Sequence, residues 1–234
     1  CPGSPGSVST NLVLWLKANQ IGLANGNSIS SWSDQSGNTN DATQSTGGDQ
    51  PVFKDNTTDN LNFNPIADFI SADRLDIPTP ATDDQNVFIV FATSQLSNTF
   101  WFYDHPSIYG GDINPSVDGS EADFIIALGD WGGTNDKLYF GGGGDSDWGF
   151  ENTAGPSVSI GKPIVFQLDR IDNNDDDMDL AWRVNGISGG TTNRTETGCA
   201  RSMPSPNISL GSHQTNTSTG LIGGIAEVIT YTGA

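Results

Sequence analysis

The apolar segments of this chain are short, rich in β-branched and aromatic residues, and closed off by Gly, Asn, Asp or Ser, a punctuation that suits strands and leaves no convincing amphipathic helix. The opening stretch Leu12-Val-Leu-Trp-Leu-Lys-Ala18 sets the pattern. Leu12, Leu14 and Leu16 alternate with Val13, Trp15 and Lys17, as a strand with at least one buried face requires. The segment Ser31-Trp-Ser-Asp-Gln-Ser-Gly-Asn-Thr-Asn-Asp-Ala42 then carries turn chemistry. Gly37 accepts positive φ, Asp34, Ser36 and Asn38 can hydrogen-bond nearby backbone, and Trp32 packs an aromatic beneath the turn.

Further along, Val87-Phe-Ile-Val-Phe91 is a continuous apolar run suited to a central sandwich strand buried on both sides or against loops. Pro51-Val-Phe53, Leu61 to Phe63 with Phe69-Ile70, and Leu75-Asp-Ile77 return to the sheet, the last stopped by Pro78-Thr-Pro80. In Thr99-Phe-Trp-Phe-Tyr103, Phe100 and Phe102 face one way and Trp101 and Tyr103 the other. Core or cross-strand packing is the simpler use of these rings. Phe124 to Leu128 pairs with Lys137 to Phe140, and Pro163 to Leu168 with Leu180 to Val184. No internal repeat is visible, so one domain over residues 11–234 is expected, preceded by a Pro/Gly/Ser linker or N-terminal extension at 1–10.

Charge narrows the function. With 28 Asp+Glu against 9 Lys+Arg the net charge is -19. Nucleic acid and anionic membrane surfaces would be repelled. No run reaches the roughly 18 apolar residues of a transmembrane helix, so membrane insertion is not expected. The chain, starting at Cys1-Pro-Gly-Ser-Pro, reads as a mature or excised piece of something longer. Its 234 residues suit a single β-sandwich.

Leu14-Trp15-Leu16-Lys17-Ala18 followed by Trp32-x-Asp34-x-Ser36-Gly37-Asn38-x-Asn40-x-Ala42 resembles the opening of concanavalin A-like jelly-roll modules of the laminin-G-like group. Leu180-Ala-Trp-Arg-Val-Asn185-Gly186 resembles their strand and hairpin turn. Ile208-Ser-Leu-Gly211 and Gly223-Gly-Ile-Ala-Glu227-Val-Ile-Thr-Tyr231 resemble their closing strands. Leu61-Asn-Phe-Asn-Pro65 narrows the likeness to modules of very large surface proteins of gliding Bacteroidota. The resemblance implies an all-β, two-sheet antiparallel jelly-roll sandwich. It also implies a non-catalytic module of a secreted cell-surface adhesin, which binds polysaccharide or another surface glycan or spaces other modules of a longer chain. Alternatives are a carbohydrate-binding domain of a polysaccharide-degrading enzyme and a glucanase-like hydrolase. Against the last, Glu121-Ala-Asp123 offers half of the Glu-x-Asp-x-x-Glu motif of the fold's glucanases, but Ile126 stands where the second glutamate belongs.

Three sets of candidate residues follow. Trp131 and Trp148 lie in Gly/Asp-rich loops beside Asp130 and Asp145, an arrangement that offers a sugar both a stacking ring and hydroxyl partners; capping the core is the competing use. Asp172-x-Asn174-x-Asp176 has the alternating oxygens of a calcium loop. Asp177 replaces the required Gly and Arg183 the closing Glu, leaving either a solvated acidic tip or a non-EF calcium site. Cys1 and Cys199 can form a disulfide in an exported protein, tying the N-terminal extension to the 197–200 loop. Unpaired thiols or a lipidated Cys1 are the other uses.

Overall fold

The computed structural model describes residues 3–56, 58–70, 72–78, 84–96, 107–110, 125–128, 136–141, 157–172, 177–195, 208–212 and 220–233. Fifteen strands run through them: β1 (Leu12–Lys17), β2 (Ser31–Trp32), β3 (Ala42–Thr43), β4 (Val52–Lys54), β5 (Ile66–Phe69), β6 (Leu75–Ile77), β7 (Gln85–Thr93), β8 (Ser107–Gly110), β9 (Ile125–Leu128), β10 (Leu138–Gly141), β11 (Ile164–Asp172), β12 (Asp177–Val184), β13 (Ile187–Thr195), β14 (Ile208–Leu210) and β15 (Gly223–Thr232). Helix among the described residues is confined to three short 3-10 turns.

One sheet of eight strands runs β13-β12-β11-β7-β15-β5-β4, with β1 added on β15, and the other, of seven, runs β10-β9-β8-β14-β6-β3-β2. All pairings between these strands are antiparallel. The result is the two-sheet jelly-roll sandwich that the alternation and turn residues predict. β15 is paired along its length with β7, while its other edge is shared end to end by β5 at residues 223–225 and β1 at 227–231. The inner faces meet in one buried cluster that includes Leu14, Leu16, Val87, Ile89, Phe91 and Phe166 from the first sheet and Leu75, Ile77, Ile126, Ile208 and Leu210 from the second. Trp32 is wholly buried among them.

The two expected hairpins form. β9 pairs β10 with Leu128 opposite Leu138, and β11 pairs β12 with Phe166 opposite Val184. The turn at Asn185 and Gly186 has φ of 50° and 79°, the two left-handed positions of a type I′ hairpin. Beyond it, a β-carbon on Gly189 would collide with the Trp182 indole. Glycine there lets the indole lie across β13 and become buried.

The opening motif proves to be a staple rather than a local turn. The Asp34 carboxylate accepts backbone N–H groups from Trp15 (2.9 Å), Ser36 (2.9 Å) and Asn40 (3.1 Å), and the Ser36 hydroxyl at 2.6 Å. Asn38 and Asn40 donate their amides to the Leu12 (2.8 Å) and Val13 (2.9 Å) carbonyls, on the β1 edge turned away from β15. Polar side chains here satisfy an exposed strand edge that no further strand covers, which is the reason for so many Asx and Ser residues in one turn.

A second carboxylate closes the turn before β6. The Asp73 N–H donates to the Ile70 carbonyl (2.6 Å), and the Asp73 carboxylate accepts the Ile70 N–H (2.9 Å). Burial pushes the Asp73 carboxyl up to about 6; the Ile70 N–H opposes this, and Asp68 and Asp49 add to it. Burial also raises Asp68 and Asp76.

The structure adds detail at three of the segments read from the sequence. Val87 to Phe91 is not buried on both sides: Val87, Ile89 and Phe91 are fully buried, whereas Phe88 and Val90 are only partly covered on the outer face. Leu61 to Phe63 returns to the sheet only through Leu61, which packs on the outside of the eight-stranded sheet, while Phe63 is 94% exposed. Within residues 1–10, Ser4 is buried and Pro5–Ser7 forms a 3-10 turn.

Replacing Asp34 with Ala strands three N–H groups and should cost about 2 to 4 kcal/mol, read as a shift in denaturant midpoint without loss of β-sheet circular dichroism. A change below about 0.5 kcal/mol would show that water replaces the carboxylate. For Asp73 the folded carboxyl holds its proton more tightly than the unfolded one. Its stabilisation is therefore full below the unfolded value and is lost as pH rises through about 6. Asp73→Asn should accordingly narrow the gap between melting temperatures measured at about pH 4 and about pH 8; an unchanged gap removes Asp73 as its source.

Candidate functional site

Strand alternation sends one set of side chains from the eight-stranded sheet into the core and the other to its outer face. Register aligns the outer set into rows. Trp15 pairs Ile229, Ile229 pairs Phe88, Phe88 pairs Gln167, and Gln167 pairs Arg183, so one row crosses five strands, about 20 Å at the usual strand spacing. The next row sets Tyr231 beside Asn86 and Asn86 beside Asp169.

Chemistry differs along these rows. At the β1 end the Trp15 indole N–H donates to Glu227 (2.7 Å) and the Lys17 ammonium sits 4.7 Å above the ring, leaving Trp15 only 6% exposed. That tryptophan is capped. At the centre Phe88 and Tyr231 meet edge to face, with centroids 6.2 Å apart and planes at 83°, and both remain partly open. Toward β12 the Asp169 carboxylate accepts from Arg183 Nη1 and from Gln167 Nε2, each at 2.8 Å. This half-exposed pair fixes the orientation of the guanidinium and the amide more than it stabilises the fold.

Two walls bound the face. At one end residues 8–11 cross the sheet and enclose a shallow groove of about 350 Å³, lined by Val8, Asn11, Asn86, Phe88, Tyr231 and Gly233 among others. The Tyr231 hydroxyl donates to the Val8 carbonyl (3.3 Å) and the Thr232 N–H to the Asn11 carbonyl (2.9 Å), so the wall is tied to β15. Burial raises the Tyr231 hydroxyl, which stays protonated and able to donate. At the other end the hairpin at residues 61–64 is anchored by Leu61, which clusters with Ile66, Ala92, Ala226 and Val90. The face between them offers aromatic edges, amides and a fixed guanidinium. Such a floor can stack against an apolar ring and pair its hydroxyls.

Several carboxylates among the described residues already have partners. Asp34 holds the staple, Glu227 the Trp15 indole, Asp169 the Arg183 guanidinium, Asp76 the Arg74 guanidinium at 2.9 Å, and Asp73 its turn. Ile126 is fully buried in β9. Glu121 and Asp123 lie outside the described residues.

Trp131, Trp148, Asp130 and Asp145 lie outside the described residues, as do Asn174, Asp176, Cys1 and Cys199. Asp172 is the last residue of β11, opposite Met178. The structure therefore brings together residues that the sequence reading did not select: Phe88, Tyr231, Asn86 and Gln167. The available signal was strict alternation through Val87-Phe-Ile-Val-Phe91, which puts Phe88 outside as soon as one face of the strand is open.

No family model matches the chain, and no curated protein matches it. Among solved structures it is similar to a GH54 α-L-arabinofuranosidase variant soaked with 4-nitrophenyl α-L-arabinofuranoside, with TM-score 0.58 and 15% identity over 88% of this chain and 47% of that one. It is also similar to a mutant of Trypanosoma rangeli sialidase displaying trans-sialidase activity, with TM-score 0.51 and 14% identity over 97% of this chain and 31% of that one. A third similar structure is the Ruminococcus gnavus IT-sialidase CBM40 bound to α2,3 sialyllactose, with TM-score 0.44 and 16% identity over 65% of this chain and 77% of that one. The chain spans less than half the length of the first two, and at these identities the likeness is one of fold.

Proposed function

We propose that this chain is a non-catalytic, polysaccharide-binding module of a secreted cell-surface adhesin. The observation that carries binding is the outer face of the eight-stranded sheet, where Phe88, Tyr231, Asn86 and Gln167 share adjoining rows beside a bonded Asp169–Arg183 pair. A sugar ring has an apolar face for the aromatics and hydroxyls for the amides and the guanidinium. The adhesin context rests on the sequence resemblance. A second reading, a module appended to a polysaccharide-degrading enzyme, uses the same face. The arabinofuranosidase and the sialidase, both named for glycan chemistry, contain this fold within chains at least twice as long as the part that it matches. Calcium at Asp172, Asn174 and Asp176 belongs to the proposal as a ligand of the acidic hairpin tip.

Affinity electrophoresis through gels containing a neutral β-glucan, a mannan, an arabinan or a polyuronate tests this, run with calcium and with chelator. At least one polysaccharide should retard the protein. Phe88→Ala should weaken that retardation about tenfold, the loss of roughly 1.4 kcal/mol, and Gln167→Ala several-fold, both with melting temperatures close to wild type. Trp131→Ala and Trp148→Ala run in parallel test the loop tryptophans. If those two abolish retardation while Phe88→Ala and Gln167→Ala bind normally, the sheet face is not the site.

A further inference from the structure

The hairpin at residues 61–64 is as tight as a hairpin can be: Leu61 and Asn64 exchange backbone hydrogen bonds of 3.0 and 2.9 Å around two central residues. Both are left-handed, with φ 48° at Asn62 and 68° at Phe63. These angles are those of a type I′ turn, whose second central position favours glycine because a β-carbon there crowds the following carbonyl. Asn tolerates such a conformation. Phe has no polar side chain to compensate, and burial does not compensate either: Phe63 is 94% exposed, more than any other large hydrophobic residue among those described. Backbone strain and an apolar ring left in water thus fall on a single residue, and neither serves the fold.

The tip is nevertheless held firmly. The Phe63 N–H donates to Asn60 Oδ1 (3.1 Å), the Asn60 amide to the Asn56 carbonyl (2.6 Å), and the Asn64 amide to the Asn62 carbonyl (3.2 Å). Leu61 anchors the base in a cluster with Ile66, Ala92 and Ala226, against which Val90 packs, and Val90 is two residues along β7 from Phe88. The hairpin is therefore a rigid post at the rim of the proposed binding face.

We infer that Phe63 is a preset stacking residue for an uncharged sugar unit of a polysaccharide lying along that face, with the Asn62 amide beside it to pair a hydroxyl. This rests on the polysaccharide-binding reading and assigns it a residue and a ligand class. The class follows from charge: a protein of net charge -19 repels uronate, sulfate and sialate chains over the whole approach, and a neutral chain meets no such barrier. Holding the backbone that presents the ring lowers part of the ordering cost of binding, which gives the strain a purpose.

Phe63→Gly separates the proposal from a structural role, because glycine relieves the left-handed strain and removes the ring. The variant should melt above wild type yet bind the neutral polysaccharides several-fold to about tenfold more weakly, the loss of one stacked ring. Phe63→Trp should retain binding. Unchanged affinity in Phe63→Gly, or a lowered melting temperature, overturns the assignment. Retardation of wild type by the polyuronate alone overturns the ligand class. If no gel retards wild type, the polysaccharide-binding reading fails and this inference with it; if Phe88→Ala weakens binding and Phe63→Gly does not, this inference alone fails.

Discussion

β15 lies between β7 on one side and the end-to-end pair β5 and β1 on the other. The eight-stranded sheet is therefore joined through β15, and its first strand finds its partner strand there. These are pairings of high sequence separation, with Leu16 opposite Val228 and Trp15 opposite Ile229. Loop-closure entropy has to be overcome before they return any free energy, which is the cost that pairings of this separation carry. The buried inner side chains of β15, Val228 and Ile225, supply the apolar contact that makes the closure favourable.

Once β1 is placed, its free edge becomes the next problem, and the residues of the opening motif answer it. Asp34, Ser36, Asn38 and Asn40 do for the edge of β1 what a ninth strand would otherwise do. Here the sequence was legible as to residue type and misleading as to range. Asx and Ser side chains around a glycine do predict a turn, but which backbone they bond depends on β1 lying alongside, and no local pattern encodes a partner about twenty residues earlier. The same holds for Trp32. Its burial was foreseeable from its size and position, whereas the sheet that covers it comes from residues far along the chain.

Much of the fold was readable because many of the strands carry their own signal, though β8 (Ser107–Gly110) was not read as one. Alternation marks β1, Asn185-Gly186 marks the β12–β13 turn, and Pro78 follows β6. The candidate site was not readable, for a physical reason. A continuous apolar run is consistent with burial on both faces or with an aromatic floor open on one, and Val87 to Phe91 turned out to be the second. Choosing between them needs the neighbours that cover or fail to cover the strand, namely Gln167 on β11 and Ile229 on β15. Aromatic residues in Gly/Asp-rich loops draw attention to themselves in a sequence; an outward Phe within an apolar strand does not.

The outer face also explains why two tryptophans on the eight-stranded sheet take no part in it. Trp15 points outward but is covered by Lys17 and bonded to Glu227, and Trp182 points inward over the glycines of β13. Both rings are thereby removed from solvent by neighbours that match them in shape and charge. Phe63 has neither kind of neighbour. A sandwich that caps or buries its largest rings elsewhere, yet holds a phenyl ring in water at the tip of a strained turn on the far rim of the face that carries Phe88 and Tyr231, distributes its aromatics in two distinct ways. Burial accounts for the first set through the fold alone, since each ring gains more from its cover than its ordering costs. The second set gains from cover only when something else supplies it, and a ring-shaped, uncharged ligand has the dimensions, the apolar face and the hydroxyl rim to do so.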